Sequence, residues 1–65
     1  MGRHFLEKLD GMDDYLITYG KHRGEKLSTA LREDARYFAD FVLVQFPDEY
    51  CVIIEKMAEE DGVEL

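Results

Sequence analysis

The sequence has few of the features that mark secreted or membrane-spanning proteins. Cys51 is its single cysteine, whereas small secreted domains usually carry cysteines in pairs that form disulfides. No apolar run is long enough for a signal peptide or for a helix that crosses a bilayer. We therefore expect a cytoplasmic protein that does not associate with membranes.

Residues that could hold a metal ion or act as a nucleophile are also scarce. The two histidines and Cys51 show neither a helical i,i+4 spacing nor a C-x-x-C pair, and Cys51 is interpreted as a filler of the core. Ser28 is the single serine, lacks a glycine-flanked elbow, and is interpreted as a helix cap. The Walker pattern G-x-x-x-x-G-K-[ST] is absent. These absences predict a protein that is not an enzyme and that uses no metal ion and no cofactor.

What is present is the composition of one small folded domain with an uneven charge. The chain has 65 residues, of which 46% are hydrophobic, and this supports a single small core. Its net charge is −7, but residues 1–46 hold eight acidic and seven basic residues, for a net of −1. Residues 47–65 hold seven acidic residues and only Lys56, for a net of −6. The acidity therefore belongs to the C-terminal segment.

The first half of the chain predicts a β-hairpin. Alternation of side chains in DYLITYG predicts a strand, and EKL after the turn predicts the return strand, so that the hairpin covers residues 14–27. Gly20 and Gly24 bracket the turn and would supply the positive φ angles that a tight reversal requires. The preceding residues 1–11 have apolar residues at a helix-like spacing and are predicted to form a short helix or a tail.

The second half predicts helices. Three segments follow one another: a helical turn at residues 28–33, a core helix at residues 34–46, and an acidic amphipathic helix at residues 47–61. Asp34 would cap the core helix, Pro47 would end it, and Gly62 would stop the acidic helix. The whole pattern predicts an α+β fold, in which a small β-hairpin is followed by two or three helices in a single domain.

The core helix at residues 34–46 is apolar around most of its circumference. At 100° per residue, one broad apolar face is predicted to comprise Ala35, Phe38, Phe41, Val42 and Phe46. Arg36 and Asp40 form a narrow polar stripe. Two interpretations remain open: the helix is central in the core, or it associates with a second copy of the chain through Tyr37, Phe41 and Val44.

A local group of basic residues suggests one binding function. The stretch YGKHRGEKLS gathers four residues that could contact phosphate, namely Lys21, His22, Arg23 and Lys26. Backbone amides of a glycine-bracketed turn can point outward, and nearby cations favour phosphate. The functional hypothesis is therefore a contact with the backbone of a nucleic acid. The alternative is that these charges only keep an exposed turn in solution.

The same stretch resembles a known family. YGKHRGEKLS followed by EDARYFADFVL is similar to the small domain at the C-terminus of exodeoxyribonuclease X-type proteins, which also occurs alone in bacteria and phages. The family pattern is Phe-Gly-Lys-x-Lys-Gly, then Asp-Pro-x-Tyr, an apolar residue and a tryptophan. The positions that follow it here are Tyr19, Gly20, Lys21, Arg23, Gly24, Asp34 and Tyr37. Ala35 replaces the proline, and Asp40 stands where the tryptophan would be, with Phe41 next.

The resemblance covers about residues 15–44, which is less than half of the chain. It implies a hairpin-plus-helix fold and a role in the processing of DNA or RNA. It carries over no catalytic residue, because the nuclease chemistry of the fused proteins lies in a separate domain.

The acidic helix suggests a second binding function. Carboxylates on one of its faces, with Glu60 at the edge, are predicted to contact a partner: Asp48, Glu55, Glu59 and Glu60. Glu55 and Glu59 would lie about 6 Å apart along the axis, a spacing comparable to that of DNA phosphates. The hypothesis is a small, phage-encoded regulator or inhibitor that mimics nucleic acid and binds a basic nucleic-acid enzyme. The alternative is an ordinary solvated helix face.

Both functional hypotheses require that the two charged surfaces lie apart. If Lys21 and Arg23 formed salt bridges with Glu55 or Glu59, each surface would neutralise the other. At physiological salt, charges separated by more than about 8 Å act almost independently. The predicted partner is therefore a nucleic acid or a nucleic-acid-processing protein, according to which surface is used.

Overall fold

The structure is a computed structural model that describes residues 4–65, and it has the predicted α+β fold. Its elements in chain order are strands β1 (Leu6–Lys8) and β2 (Tyr15–Ile17), helices α1 (Leu27–Glu33) and α2 (Ala35–Tyr37), a π-helical segment (Phe38–Val42), and helices α3 (Leu43–Gln45) and α4 (Asp48–Asp61). Helix α2, the π-helical segment and α3 run on without a break and are called the central helix below. In this part of the chain, a two-stranded antiparallel hairpin is thus followed by three helical regions.

The hairpin uses a strand that the sequence did not predict. β1 pairs antiparallel with β2, and the register places Leu6 opposite Ile17. The prediction of a short helix or tail at residues 1–11 is therefore wrong at β1. Phe5, in a bend before the strand, and Leu6 both enter the core, and together with Leu9 they have the spacing that suggested a helix. The part of that prediction at residues 1–3 lies outside the described residues.

The predicted hairpin at residues 14–27 is correct in its first strand and its turn but not in its return strand. β2 forms, and both Gly20 (φ +97°) and Gly24 (φ +87°) adopt the expected positive φ. After the turn, one isolated antiparallel bridge joins β2 to Lys26. The N–H of Ile17 also donates to the carbonyl of Glu25, but Leu27 is fully buried and is already the first residue of α1, so the return segment does not form a strand.

Helix α1 begins before its predicted cap. Lys26 occupies the N-cap position without a side-chain capping bond. The carboxylate of Asp14 instead accepts hydrogen bonds from the Ser28 hydroxyl at 2.6 Å and the Ser28 backbone N–H at 3.3 Å. Burial alone would raise the pKa of Asp14, but hydrogen bonds from Ser28 and from the Tyr15 N–H outweigh it and lower the pKa. The N-terminus of α1 is therefore capped by Asp14, the residue before β2, and local spacing cannot reveal such a distant cap.

The central helix contains a π-helical segment that changes which side chains are buried. The N–H of Leu43 donates to the carbonyl of Phe38, five residues earlier. The smaller rotation per residue keeps Val42 beside Phe38 in the core but moves Phe41 outward, where it is 46% exposed. The single broad face predicted at 100° per residue is therefore divided, with Phe38 and Val42 buried and Phe41 exposed, because that rotation holds only for an α-helix.

Helix α4 follows the sequence prediction closely. It starts after Pro47 and ends at Gly62, which adopts the left-handed conformation with φ +71°. Its buried residues are Tyr50, Ile54, Met57 and Ala58, while Ile53 packs at the edge of the core. They join one cluster of buried side chains from both strands, α1 and the central helix. Among residues 4–65, no helix combines the length and the apolar character needed to cross a membrane.

Candidate functional site

The four predicted phosphate-binding residues lie on the turn between β2 and α1, but they are not equally free. Lys21 places its Nζ 2.7 Å from Oδ2 of Asp34, and this hydrogen bond raises the pKa of Lys21. His22 is only 8% exposed. Arg23 and Lys26 are exposed, and neither forms a salt bridge within residues 4–65. The cations available to a ligand are therefore chiefly these last two.

His22 is held by carboxylates on both of its ring nitrogens. Its Nδ1 lies 3.1 Å from Oε2 of Glu25, and its Nε2 lies 3.1 Å from Oδ2 of Asp34. Because a carboxylate only accepts hydrogen bonds, both nitrogens must donate, and this requires the charged imidazolium. Burial opposes that charge, but the hydrogen bonds to Asp34 and Glu25 outweigh it and raise the pKa of His22. His22 thus anchors the turn and does not present its ring to a phosphate.

Asp34 connects the basic turn to the central helix. It was predicted to cap that helix, but its side chain makes no capping bond and accepts hydrogen bonds from Lys21 and His22 instead. The hydrogen bond from Lys21 has the larger effect, and together with the hydrogen bond from His22 it lowers the pKa of Asp34. Asp34 therefore occupies the predicted N-cap position of α2, but its carboxylate bonds Lys21 and His22 and forms no capping hydrogen bond.

The two sequence blocks that carry the family resemblance meet at this point. Nζ of Lys21 lies 5.3 Å from the ring centre of Tyr37, in cation–π geometry, while it bonds Asp34. A Cβ added at Gly20 would lie 3.6 Å from the Tyr37 hydroxyl oxygen. In this chain, the two blocks therefore form one contact cluster that holds the turn on the central helix.

The basic turn and the acidic helix do not neutralise each other. Within residues 4–65, neither Lys21 nor Arg23 forms a salt bridge with Glu55 or Glu59. The charges that compensate Lys21 and His22 come from Asp34 and Glu25. The direct ion pairing that would defeat both functional hypotheses is therefore absent among the described residues.

Helix α4 presents a dense set of uncompensated carboxylates. The predicted partner-binding residues are all exposed, and none forms a salt bridge within the described range: Asp48, Glu55, Glu59 and Glu60. Val52 is 62% exposed and lies four residues after Asp48 and three before Glu55, so an apolar side chain interrupts the acidic stripe. Lys56 is the one cation on α4.

A surface groove beside this stripe was missed by the sequence analysis. It has a volume of about 270 Å³ and lies between α4 and β2. Tyr15 lines one side of the groove, and Val52, Ile53 and Met57 line the other. The sequence has no local signal that brings Tyr15 next to a helix some forty residues later in the chain.

The central helix exposes part of the predicted self-association surface. Phe41 is 46% exposed and Val44 is 71% exposed. Tyr37 is partly buried, and its ring stacks on Phe41 with centroids 5.5 Å apart while Lys21 lies over it. Two of the three residues are therefore available to a second copy, and the third supports them.

Cys51 is in a setting that suppresses thiolate chemistry. Its Sγ lies 3.5 Å from the carbonyl oxygens of Leu43 and Phe46. Burial, followed by the nearby carboxylates of Asp48 and Glu55, raises the pKa of the thiol. Over residues 4–65, no three His, Cys, Asp or Glu side chains gather where they could hold a metal ion.

Comparison with protein-family models, with curated proteins and with solved structures found no match for this chain. The resemblance to the exodeoxyribonuclease X-type domain therefore stays a prediction from the quoted residues.

Proposed function

We propose that this protein is a small, non-enzymatic binding module that docks its acidic helix on a cationic surface of a nucleic-acid-processing protein in the cytoplasm. The observation that carries the proposal is the set of exposed carboxylates on α4 that form no salt bridge within residues 4–65. Surfaces that bind nucleic acid are basic because they contact phosphates, so an acidic helix complements them. The role in nucleic-acid processing follows from the family resemblance.

The charge on α4 is large enough to matter for association. Six acidic residues and Lys56 give residues 48–61 a net charge of −5. In contrast, the carboxylates of Asp34 and Glu25 partly compensate the basic turn. Complementary fields of this kind raise association rates and weaken with added salt. The acidic helix is therefore the stronger electrostatic feature of the molecule.

The proposal is tested by finding the partner and then measuring its affinity. A photo-crosslinking amino acid at Val52 would identify proteins that contact the acidic helix, with the same group at Arg23 as a control on the basic turn. The affinity of the purified partner would then be measured for Glu55→Lys combined with Glu59→Lys. We expect a loss of at least about tenfold at low salt, because two attractions become repulsions.

The matched control is Glu7→Lys combined with Glu33→Lys, which makes the same charge change at exposed sites outside α4. We expect this variant to retain most of the affinity. Equal losses in both double variants would show that only net charge matters, and a captured partner without any nucleic-acid function would contradict the proposed role.

A second candidate function is direct contact with nucleic-acid phosphate by the basic turn. It is favoured by Arg23 and Lys26, which are exposed and unpaired within the described residues. Anisotropy of labelled DNA and RNA at low salt would test it, together with Arg23→Glu plus Lys26→Glu. These two substitutions leave the contact of Lys21 with Asp34 intact. No binding by the unmodified protein at low salt would eliminate this function.

Association with a second copy is a third proposal, and it is favoured by the exposed Phe41 and Val44. Burial of these side chains against their equivalents would remove apolar surface from water. Sedimentation velocity over a range of concentrations measures this association. The proposal requires a dimer that Phe41→Ser weakens, and a monomer at every concentration contradicts it.

A further inference from the structure

The groove between α4 and β2 has the dimensions and the lining of a site for protein side chains. Its volume is about 270 Å³, and its apolar lining comes from Tyr15, Val52, Ile53 and Met57. Pockets for small molecules usually measure about 300–1,000 Å³ and enclose most of the ligand. A surface groove below that range is suited to one or two apolar side chains of a partner.

The lining of this groove carries more negative than positive charge. Asp13 and Glu60 contribute carboxylates to its lining, and Lys56 contributes one cation. Val52 belongs both to the groove and to the acidic stripe, where it lies one helical turn from Asp48 and from Glu55. An apolar side chain seated in the groove would therefore lie near the carboxylates of Asp13 and Glu60, which line it.

The geometry points to the groove as the docking site for a basic amphipathic segment of the partner protein. One or two apolar side chains of that segment occupy the groove, and its Lys or Arg side chains face Asp13, Glu60 and the acidic stripe. The inference rests on the proposed function of α4 and adds the chemistry of the segment that α4 recognises. Lys56 repels the cations of that segment and limits which segments bind.

The direct test uses two synthetic helical peptides of equal charge. One carries leucines on one face and lysines on the other, and the second carries serines in place of the leucines. Backbone amide chemical shifts of the ¹⁵N-labelled protein would be followed during titration. We expect the leucine peptide to bind about tenfold more tightly, because one buried leucine contributes roughly that factor. The largest shifts should fall on Tyr15, Val52 and Ile53.

A matched pair of substitutions tests the position of the site. Val52→Ser removes the apolar side chain at the groove, and Leu65→Ser makes an apolar-to-serine change at an exposed position outside the groove lining (62% and 43% exposed). We expect Val52→Ser to weaken the leucine peptide about fivefold and Leu65→Ser to leave its affinity unchanged. Both residues are exposed, so both variants should keep the fold.

A second pair tests the role of Lys56. Lys56→Gln should strengthen binding of the leucine peptide about threefold, because it removes a repulsion at the groove. Arg32→Gln changes the net charge by the same amount at an exposed position outside the groove lining and should not strengthen binding. Equal effects of the two variants would overturn the assigned role of Lys56.

The possible results separate this inference from the proposed function. If Glu55→Lys with Glu59→Lys abolishes binding but Val52→Ser has no effect, the acidic helix binds a partner without the groove, and the inference is wrong. Equal affinity for the leucine and serine peptides leads to the same conclusion. If neither peptide binds in low salt, the groove does not accept basic amphipathic segments and the inference is overturned, while crosslinking at Val52 still tests the proposed function independently.

Discussion

Replacement of His22 by glutamine tests the charged bridge that holds the basic turn in place. The imidazolium donates to both Glu25 and Asp34, at 3.1 Å each. A glutamine side chain donates only through its amide nitrogen, and its carbonyl oxygen would face the second carboxylate. The variant therefore loses at least one charge-assisted hydrogen bond and places two acceptors against each other.

The magnitude follows from the exposure of the two carboxylates. A hydrogen bond to a charged group contributes about 1.5–3 kcal/mol. The side chains of Glu25 and Asp34 are 38% and 26% exposed, so water replaces part of what is lost, and Lys21 continues to bond Asp34. We expect His22→Gln to lower the free energy of unfolding by about 2 kcal/mol at about pH 6. In a domain of this size, that corresponds to a fall in Tm of roughly 10 °C.

The pH dependence identifies the cause of this loss. Although burial opposes the charge, the hydrogen bonds to Asp34 and Glu25 raise the pKa of His22 above its ordinary value of 6.5 in the folded state. Its contribution is therefore fully present below pH 6.5 and is lost as the pH rises through the folded-state pKa. The unmodified protein should lose stability from about pH 6.5 upward, whereas His22→Gln should not. The difference between their free energies of unfolding should therefore shrink as the pH rises.

Urea unfolding followed by circular dichroism, at about pH 6 to 9, measures this difference. His4→Gln is the matched control, because His4 is exposed and, among residues 4–65, its ring hydrogen-bonds only the hydroxyl of Tyr50, at 3.2 Å. Parallel stability curves for the unmodified protein and His22→Gln would refute the imidazolium bridge, and so would an equal loss in both variants.

Three further predictions address other contacts. Asp14→Asn should lower the free energy of unfolding by about 1–2 kcal/mol near neutral pH. Because the pKa of Asp14 is lowered in the folded state, this difference should shrink as the pH falls through that pKa, and a constant difference in urea unfolding would contradict it. Phe38→Ala should lower that free energy by about 3–5 kcal/mol and Phe41→Ala by less than about 1 kcal/mol, and equal losses in thermal unfolding would argue against the π-helical segment. Cys51 should react with a disulfide reagent more slowly than free cysteine at the same pH, and equal rates would contradict its raised pKa.

Helix α4 and strand β2 could be predicted because their signals are local. Pro47, Gly62 and the apolar spacing between them specify a helix of defined length, and alternation specifies the strand. Strand β1 could not be predicted, since three residues carry almost no periodic signal and form a strand only by pairing with β2. The division of the apolar face between buried Phe38 and exposed Phe41 could not be predicted for a related reason, because a π-helical segment has no pattern that a wheel of 100° per residue can detect.

The sequence alone determined that cations gather between two glycines, that carboxylates crowd the last helix, and that one small α+β domain contains both. Tertiary structure alone decided which of those charges remain free. Asp34 is distant in sequence from Lys21 and His22, yet it bonds both and removes His22 from the accessible surface. Tertiary structure alone also forms the groove, because folding places Tyr15 beside α4. Charge and periodicity are properties of neighbouring residues, whereas the partner of a side chain is set by the packing of segments far apart in the chain.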